Sequence, residues 1–276
     1  MNEPDPRAGS GFADVASIGR SSSTSPYPRD PGWRSPATVG GGFEVCVLGT
    51  FRFRWGTETL MAEAGGSQRL LALLALRDRA VMRGAVAGTL WPESSEHHAH
   101  SNLRSALSRL SELSRDAVLV TPLDLCLVER VKVDIRESRA LAHRLLDPEA
   151  SVSEADLGPA AISVLADDLL PDWYDDWVLL EAEEWRQLRL HALEALADRL
   201  TLHRRFGVAT AAAVAAVRIE PLRESARATA IRVHRAEGNP SEALREFDRY
   251  RTVLQAELGL EPTTALRDLI ADLQDR

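Results

Sequence analysis

The sequence predicts an α+β winged helix-turn-helix domain followed by an all-α domain of tetratricopeptide-like helix pairs. Between residues 43 and 128, short alternating strands flank three helical segments in the order β-β-β-α-α-α-β-β. From residue 137 onward, the apolar spacing is helical almost throughout. A chain of 276 residues also exceeds the usual size of a single domain, so two folded units are expected.

The first 42 residues are rich in Gly, Pro and Ser and hold few large apolar groups. We predict that they form a disordered tail. The tail lacks the apolar core of a signal peptide, and no later segment is apolar for long enough to cross a bilayer. These features predict a cytoplasmic, nucleoid-associated protein. Cys46 and Cys126 lie in predicted strands and are interpreted as small buried side chains, so neither a disulfide nor a thiolate metal site is expected.

The first folded domain is predicted over residues 43–136. Residues 43–53 alternate as two short strands, and residues 58–61 add a third strand after a Trp-Gly-Thr turn. An apolar run at residues 68–76 predicts the first helix. A second helix, over residues 83–90, ends before Pro92, because proline cannot continue a helix.

The third helix is predicted to read DNA. Five apolar residues recur at i, i+3, i+4 and i+7 and so share one helical face: Leu103, Ala106, Leu107, Leu110 and Leu113. The other face carries serines, which let the backbone approach a major groove, and arginines, which fork onto guanine or phosphate. Any amphipathic surface helix has a similar pattern, so the context of this helix matters.

A hairpin at residues 118–128, around a Thr-Pro-Leu-Asp turn, occupies the place of a wing and completes the order of the OmpR-type winged helix. The turn contains an aspartate and no basic residue. Any DNA contact near the wing is therefore expected from the basic residues that follow it. The predicted DNA contacts are Ser101, Asn102, Arg104, Ser105, Ser108 and Arg109 in the third helix, with Arg130 and Lys132 after the wing.

The net charge of −8 is unevenly distributed along the chain. Residues 43–136 hold 12 basic and 11 acidic side chains, whereas residues 137–276 hold 17 and 26. A nearly neutral DNA-binding domain can bind phosphates if its basic groups share one face. We therefore expect modest affinity for DNA and a dependence on dimerisation or partners.

The second domain, residues 137–276, is predicted to be a stack of helices. Helices are expected over residues 139–146, 154–165 and 179–206. Two related blocks follow, with Gly207 and Gly238 placed 31 residues apart, close to the tetratricopeptide period of ~34 residues. Each glycine is interpreted as a turn between paired helices, the second helices covering 209–217 and 241–258. Such arrays offer a face for protein contacts, although an ordinary helical bundle with chance self-similarity remains an alternative.

Five segments of the second half, at residues 169–178, 186–189, 220–226, 237–244 and 257–262, look like the successive signatures of a bacterial transcriptional activator domain. Joined to the Asn-Leu-Arg-Ser-Ala-Leu sequence at 102–107, they give a chain that resembles the SARP family of antibiotic-pathway regulators over residues 43–275. The resemblance implies a transcriptional activator of a secondary-metabolite gene cluster. Such an activator binds direct repeats near the −35 promoter element as a side-by-side homodimer and recruits RNA polymerase holoenzyme through its sigma factor and core subunits.

Larger members of that family carry an ATPase module. No Gly-x-x-x-x-Gly-Lys-[Ser/Thr] sequence occurs here, so we expect the short, stand-alone form without a nucleotide cofactor.

Alternative sites are weaker. His97, His98 and His100 are too close in sequence to converge on one metal ion from a helix, so no metal is expected. The acids at residues 167–176 are interpreted as a solvated helix start with packed aromatics. No catalytic residues are assigned, and the protein is not expected to be an enzyme. A DNA-binding repressor or architectural protein, and a tetratricopeptide-like adaptor that never touches DNA, remain as alternative functions.

Overall fold

The structure is a computed structural model that describes residues 42–59 and 65–274, save the side chain of residue 274. The predicted tail lies outside the described residues except for Gly42, as do residues 60 and 61 of the predicted third strand. Within the described ranges, no helix combines the length and the apolar character that a membrane crossing requires.

The elements of the first half confirm the predicted order of strands and helices and add three short elements. They are β1 (Phe43–Cys46), β2 (Arg52–Trp55), β3 (Glu58–Thr59), α1 (Gly65–Ala75), β4 (Val81–Met82), α2 (Arg83–Leu90), α3 (Glu96–Ser108), α4 (Glu112–Asp116), β5 (Val118–Val120), β6 (Asp124–Leu127) and β7 (Lys132–Val133). The additions are β4, α4 and β7. Each has five residues or fewer, which is too short for a periodic pattern to show.

The strands form two sheets. The first has the order β3-β2-β1-β7, antiparallel except for β7, which runs parallel to β1. Val45 lies opposite Phe53, and both are buried, as the alternation predicts. The second sheet has the order β4-β6-β5 and contains the predicted hairpin, with Val120 and Val81 on either side of the buried Leu125.

Helix α3 begins before Ser101, the first of its predicted contact residues, and ends before Leu113, the last residue of its predicted apolar face. It begins at Glu96, because the Ser95 hydroxyl caps it by accepting the His98 amide, and it ends at Ser108. A separate helix, α4, follows, with the Ser111 hydroxyl accepting the Ser114 amide at its start. The expectation that Leu113 continues the apolar face of α3 is therefore wrong, and Leu113 is 37% exposed in α4.

The second half is all helical, as predicted. It contains α5 (Asp134–Leu146), α6 (Pro159–Ala166), α7 (Asp176–Leu202), α8 (Phe206–Ile219), α9 (Glu224–Glu237), α10 (Pro240–Leu258), α11 (Thr264–Asp268) and α12 (Ala271–Gln274). Helix α7 packs on α8, α8 on α9 and α9 on α10, and α7 also contacts α9. This arrangement of paired helices confirms the predicted tetratricopeptide-like fold.

The two glycines of the apparent repeat are not equivalent. Gly238 ends α9 with φ +90°, the left-handed conformation that favours glycine at a helix end. Gly207 is the second residue of α8, and the prediction of a glycine turn there is wrong. The chain reverses one turn earlier, where Arg204 takes φ 56° and the Arg205 amide donates to the Leu200 carbonyl.

One continuous apolar core joins the two halves. It includes buried residues from Phe43 in β1 to Val233 in α9. The predicted boundary between residues 136 and 137 falls inside α5, and Arg136 donates from α5 to the carbonyls of Leu74, Ala75 and Arg77 at the end of α1. These bonds satisfy carbonyls that the end of a helix leaves without partners. The first half is thus packed directly against the helical half.

Candidate nucleic-acid interface

Helix α3 is fixed on the body of the first half through its inner face. Leu103 and Ala106 are buried there, and the hydroxyl of Ser67 in α1 donates to the Ala106 carbonyl at 2.7 Å. Ser67 is itself buried, so this bond lies in a region of low dielectric where an unpaired hydroxyl is costly. The inner face therefore sets the position of α3, and its other face is available for contacts.

The outer face of α3 carries Arg104, Ser105 and Ser108, which are all exposed, and Ser101, which is half-buried. The Ser105 hydroxyl donates to the Ser101 carbonyl at 3.0 Å, and the Ser108 hydroxyl donates to the Ser105 carbonyl at 2.9 Å. Both hydroxyls thus bond to their own helix, so the serine side chains project little from its surface. Short serine side chains beside an exposed guanidinium group suit close approach to a groove.

Asn102 and Arg109 lie toward α1. Together with Ser105 they line a cleft of about 270 Å³ whose other wall includes Ser67 and Trp91. Arg109 is exposed and follows the last residue of α3. The structure therefore brings six of the predicted contact residues, those of α3 and its end, onto one continuous surface.

Arg130 and Lys132 lie elsewhere. The Arg130 guanidinium lies 5.2 Å from the centre of the Phe43 ring and donates to the Asp116 carbonyl at 3.1 Å. Lys132 is in the edge strand β7, in register with Glu44. Among the residues that the structure describes, no recorded contact joins either side chain to α3.

Two further arginines adjoin the interface, and the sequence analysis missed them. Arg115 in α4 donates to the carbonyls of Ser108 and Leu110, at 3.2 and 3.1 Å, and so caps the end of α3. The Arg83 amide donates to the Leu123 carbonyl in the wing turn at 2.9 Å. The Ser-x-x-Ser sequence at 111–114 was the available signal for the start of α4, and hence for Arg115 near the end of α3.

Ion pairing distinguishes the arginines of α9 and α10 from several basic residues of the first half. Every arginine of α9 and α10 forms an ion pair with a carboxylate. Across residues 42–59 and 65–274, no ion pair is recorded for Arg83, Arg104, Arg109 and Arg115, near α3 and the wing, or for Arg130 and Lys132, which lie away from α3. Their charge is therefore not neutralised by a neighbouring carboxylate and is available to a polyanion.

The histidines at the start of α3 face local partners. His98 Nδ1 lies 2.9 Å from the Ser95 hydroxyl, and His100 Nε2 lies 3.9 Å from a Glu96 carboxylate oxygen. Within the described part of the chain, no group of three or more His, Cys, Asp or Glu side chains is placed to hold a metal ion.

The acidic segment before α7, interpreted from the sequence as a solvated helix start with packed aromatics, agrees with that interpretation only in part. Asp175 is the residue before the helix, but its carboxylate accepts from Arg69 of α1 and makes no capping bond. Trp173 packs as expected, with ring centres 5.9 Å from Phe51 and 6.3 Å from Trp177. Tyr174 does not pack, and it is 80% exposed.

Comparison with known proteins supports the same architecture. The family model of the bacterial transcriptional activator domain matches residues 133–274, just over half of the chain. Regulatory protein AfsR of Streptomyces griseus is 27% identical over 274 residues, covering 91% of this chain and 26% of that protein. AfsR of Streptomyces coelicolor is 27% identical over 260 residues, covering 88% and 25%. The chain thus spans about a quarter of the length of these curated relatives.

Among solved structures, Mycobacterium tuberculosis EmbR in complex with a low affinity phosphopeptide has a similar fold. The TM-score is 0.63 at 20% identity, over 85% of this chain and 65% of EmbR. The fold, the element order and the family match agree with one another. The chain belongs to the bacterial transcriptional activator domain family and resembles transcriptional regulators of the SARP type.

Proposed function

We propose that this protein is a sequence-specific DNA-binding activator that reads promoter DNA with α3 and recruits RNA polymerase holoenzyme. The observation that carries the proposal is the outer face of α3, where Arg104 and Arg109 flank short serine side chains and have no recorded ion pair in the described region. Serine and arginine in this arrangement match the chemistry of major-groove edges and phosphates. The proposal involves no catalytic step and no cofactor, and it places the protein at the nucleoid.

The resemblance to SARP regulators supports the finer parts of the proposal. These are binding to direct repeats near the −35 element, a side-by-side homodimer on DNA, and control of a secondary-metabolite gene cluster. The acidic second half supports an orientation in which the first half faces the duplex, because the net negative charge of residues 137–276 repels phosphates.

Substitution of Arg104 or Arg109 by alanine tests the DNA contact. Each change should weaken binding to a promoter fragment by about 1–3 kcal/mol, measured by fluorescence anisotropy. A phosphate contact would also lower the slope of log K against log salt by about one, whereas a base contact would relax selectivity at one position. Arg218→Ala is the matched control, since Arg218 is an exposed arginine in the helical half with no recorded ion pair among the described residues. Wild-type affinity in the Arg104/Arg109 double variant would reject α3 as the reading helix.

Run-off transcription with purified holoenzyme distinguishes activation from the alternatives. An activator raises transcript yield as promoter occupancy rises, whereas a repressor lowers it. An adaptor that does not bind DNA gives no occupancy in the same reaction. Transcript yield that falls with occupancy would overturn the activator assignment and leave DNA binding intact.

A further inference from the structure

The start of α7 exposes large apolar side chains that the core does not use. Leu180 is 70% exposed, Leu179 is 49% exposed, and Tyr174, two residues before the helix, is 80% exposed. Isolated exposed apolar residues are common on protein surfaces, but neighbouring ones mark interaction sites. Three large apolar side chains within seven residues are such a concentration.

The exposed residues at the start of α7 occupy one side of the helix. Residues 176, 179, 180, 183 and 184 are all exposed and follow the i, i+3, i+4, i+7 and i+8 spacing of a single helical face. The opposite side supplies the core through Trp177, Val178 and Trp185, which are buried. The helix therefore has a complete inner face, and its outer leucines, 49% and 70% exposed, are not part of the buried core.

Negative charge surrounds the exposed leucines. Residues 172–185 contain six acidic side chains and no lysine or arginine. Asp175, Glu181 and Glu183 form ion pairs with arginines outside this segment. Among the described residues, the charge left unpaired is that of Asp172, Asp176 and Glu184. Glu183 is held by Arg186 and Gln187, and the Arg186 hydrogen bond lowers its pKa to about 2, so it stays charged at neutral pH. Asp176 and Glu184 are exposed and have no recorded ion pair within the described ranges. An occupant of this face must therefore be cationic around an apolar centre, and the same charge repels DNA.

Ion pairs place this face beside the DNA-binding half. Arg69 of α1 pairs with Asp175, and Arg77, two residues after α1, pairs with Glu181. Helix α1 also holds α3 through the Ser67 hydrogen bond. Helix α1 therefore connects the surface proposed to read DNA to the start of α7, so a protein on α7 would lie next to the bound promoter.

We propose that Asp176, Leu179, Leu180, Glu183 and Glu184, the α7 face, dock a basic segment of RNA polymerase holoenzyme that carries one or two apolar anchor residues. The leucines would fill the centre of the contact, and the Asp176 and Glu184 carboxylates would pair with lysines or arginines at its rim. This inference rests on the proposed function, because it names the surface through which activation takes place.

The test combines a double variant with a control on the same helix. Leu179→Ser with Leu180→Ser should reduce activated transcription at least about tenfold at matched promoter occupancy, the effect expected for loss of apolar anchors. Its DNA affinity and circular dichroism spectrum should equal those of the wild type, because both leucines lie outside the core. Leu202→Ser alters a leucine that is 84% exposed at the last residue of α7, and it should activate normally.

A second measurement removes DNA from the experiment. Fluorescently labelled full-length protein titrated with holoenzyme should bind, and binding should weaken as salt rises. Both the double leucine variant and Glu184→Arg should bind at least about fivefold more weakly than the Leu202→Ser control. The α7 face would be rejected as the docking surface if the leucine variant bound holoenzyme as tightly as the wild type, or if the wild-type protein did not bind it. Failure to bind promoter DNA would instead reject the proposed function, and the titration would still decide the surface.

Discussion

Asp134, the first residue of α5, is the position where a single carboxylate connects the first sheet to the helical half. Its oxygens accept hydrogen bonds from the amides of Val47 and Leu48, both at 3.0 Å, and of Ile135 at 2.7 Å. Val47, Leu48 and Ile135 are all buried, so water cannot replace the carboxylate as their partner. Asp134→Ala leaves these amides without acceptors.

The expected cost follows from those amides. An unsatisfied buried donor costs about 1–3 kcal/mol, and the two amides of Val47 and Leu48 alone set the lower end near 2 kcal/mol. The Ile135 amide adds less, because it belongs to the first turn of a helix, where amides commonly lack partners. The substitution also removes the cost of burying the carboxylate, and this offsets part of the lost stability. We expect Asp134→Ala to lower the free energy of unfolding by about 2–4 kcal/mol.

The pH dependence has a defined sign. Burial raises the pKa of Asp134 above its usual value of 3.8, and this effect outweighs the three amide donors, which lower it. The folded protein therefore holds the Asp134 proton more tightly than the unfolded chain does. The stability that this residue contributes is greatest below pH 3.8 and declines as pH rises through the raised pKa. The difference in unfolding free energy between the wild type and Asp134→Asn should shrink over that interval.

Urea unfolding followed by far-ultraviolet circular dichroism measures these free energies. Asp116→Ala is the control, since Asp116 is exposed in α4 and no hydrogen bond or ion pair of its carboxylate is recorded in the described region. It should change stability by less than about 0.5 kcal/mol. An Asp134→Ala protein as stable as the Asp116→Ala control would refute the argument that the carboxylate supports the β1 end.

Two other predictions concern the helical half. Glu246→Ala leaves the Arg227 guanidinium buried without its carboxylate, since the pair is 10% and 5% exposed, and should cost about 3–5 kcal/mol; Glu242→Ala, in an exposed pair, should cost under about 1 kcal/mol. Thermal unfolding separates the two, and equal losses would contradict the role of burial. Gly238→Ala should destabilise by about 1–2 kcal/mol because its φ is +90°, whereas Gly207→Ala inside α8 should stabilise by about 0.5–1 kcal/mol. Equal effects at the two glycines would contradict the different conformations that the structure assigns to them.

The sequence was sufficient for helices whose ends carry a clear stop signal. Helices α2 and α10 lie within one residue of their predicted bounds, because proline or glycine ends them and a regular apolar face fills them. Short elements escaped prediction for the opposite reason. Strand β7 has two residues, and only its parallel partner β1, far away in sequence, makes it a strand.

The sequence predicted which residues share one face of α3, but it did not predict how residues from other elements are placed around that helix. Arg104, Ser105 and Ser108 share one face through local spacing alone. The position of Arg130 depends on tertiary contacts with Phe43 and the Asp116 carbonyl, which no local pattern encodes. Ion pairing is also a tertiary property, so the sequence could count the charges of the two halves without showing which arginines lack a carboxylate.

The continuous core that joins the two halves has a consequence for promoter geometry. If the first half binds DNA as proposed, the helical half packed on it cannot swing around the duplex, so its direction is set by the rotational position of the operator. Insertion of about 5 base pairs between operator and −35 element turns that direction by half a turn of B-DNA, and about 10 base pairs restore it. Activation should therefore rise and fall with helical phase while occupancy stays constant, a periodicity that a flexibly tethered domain would not produce.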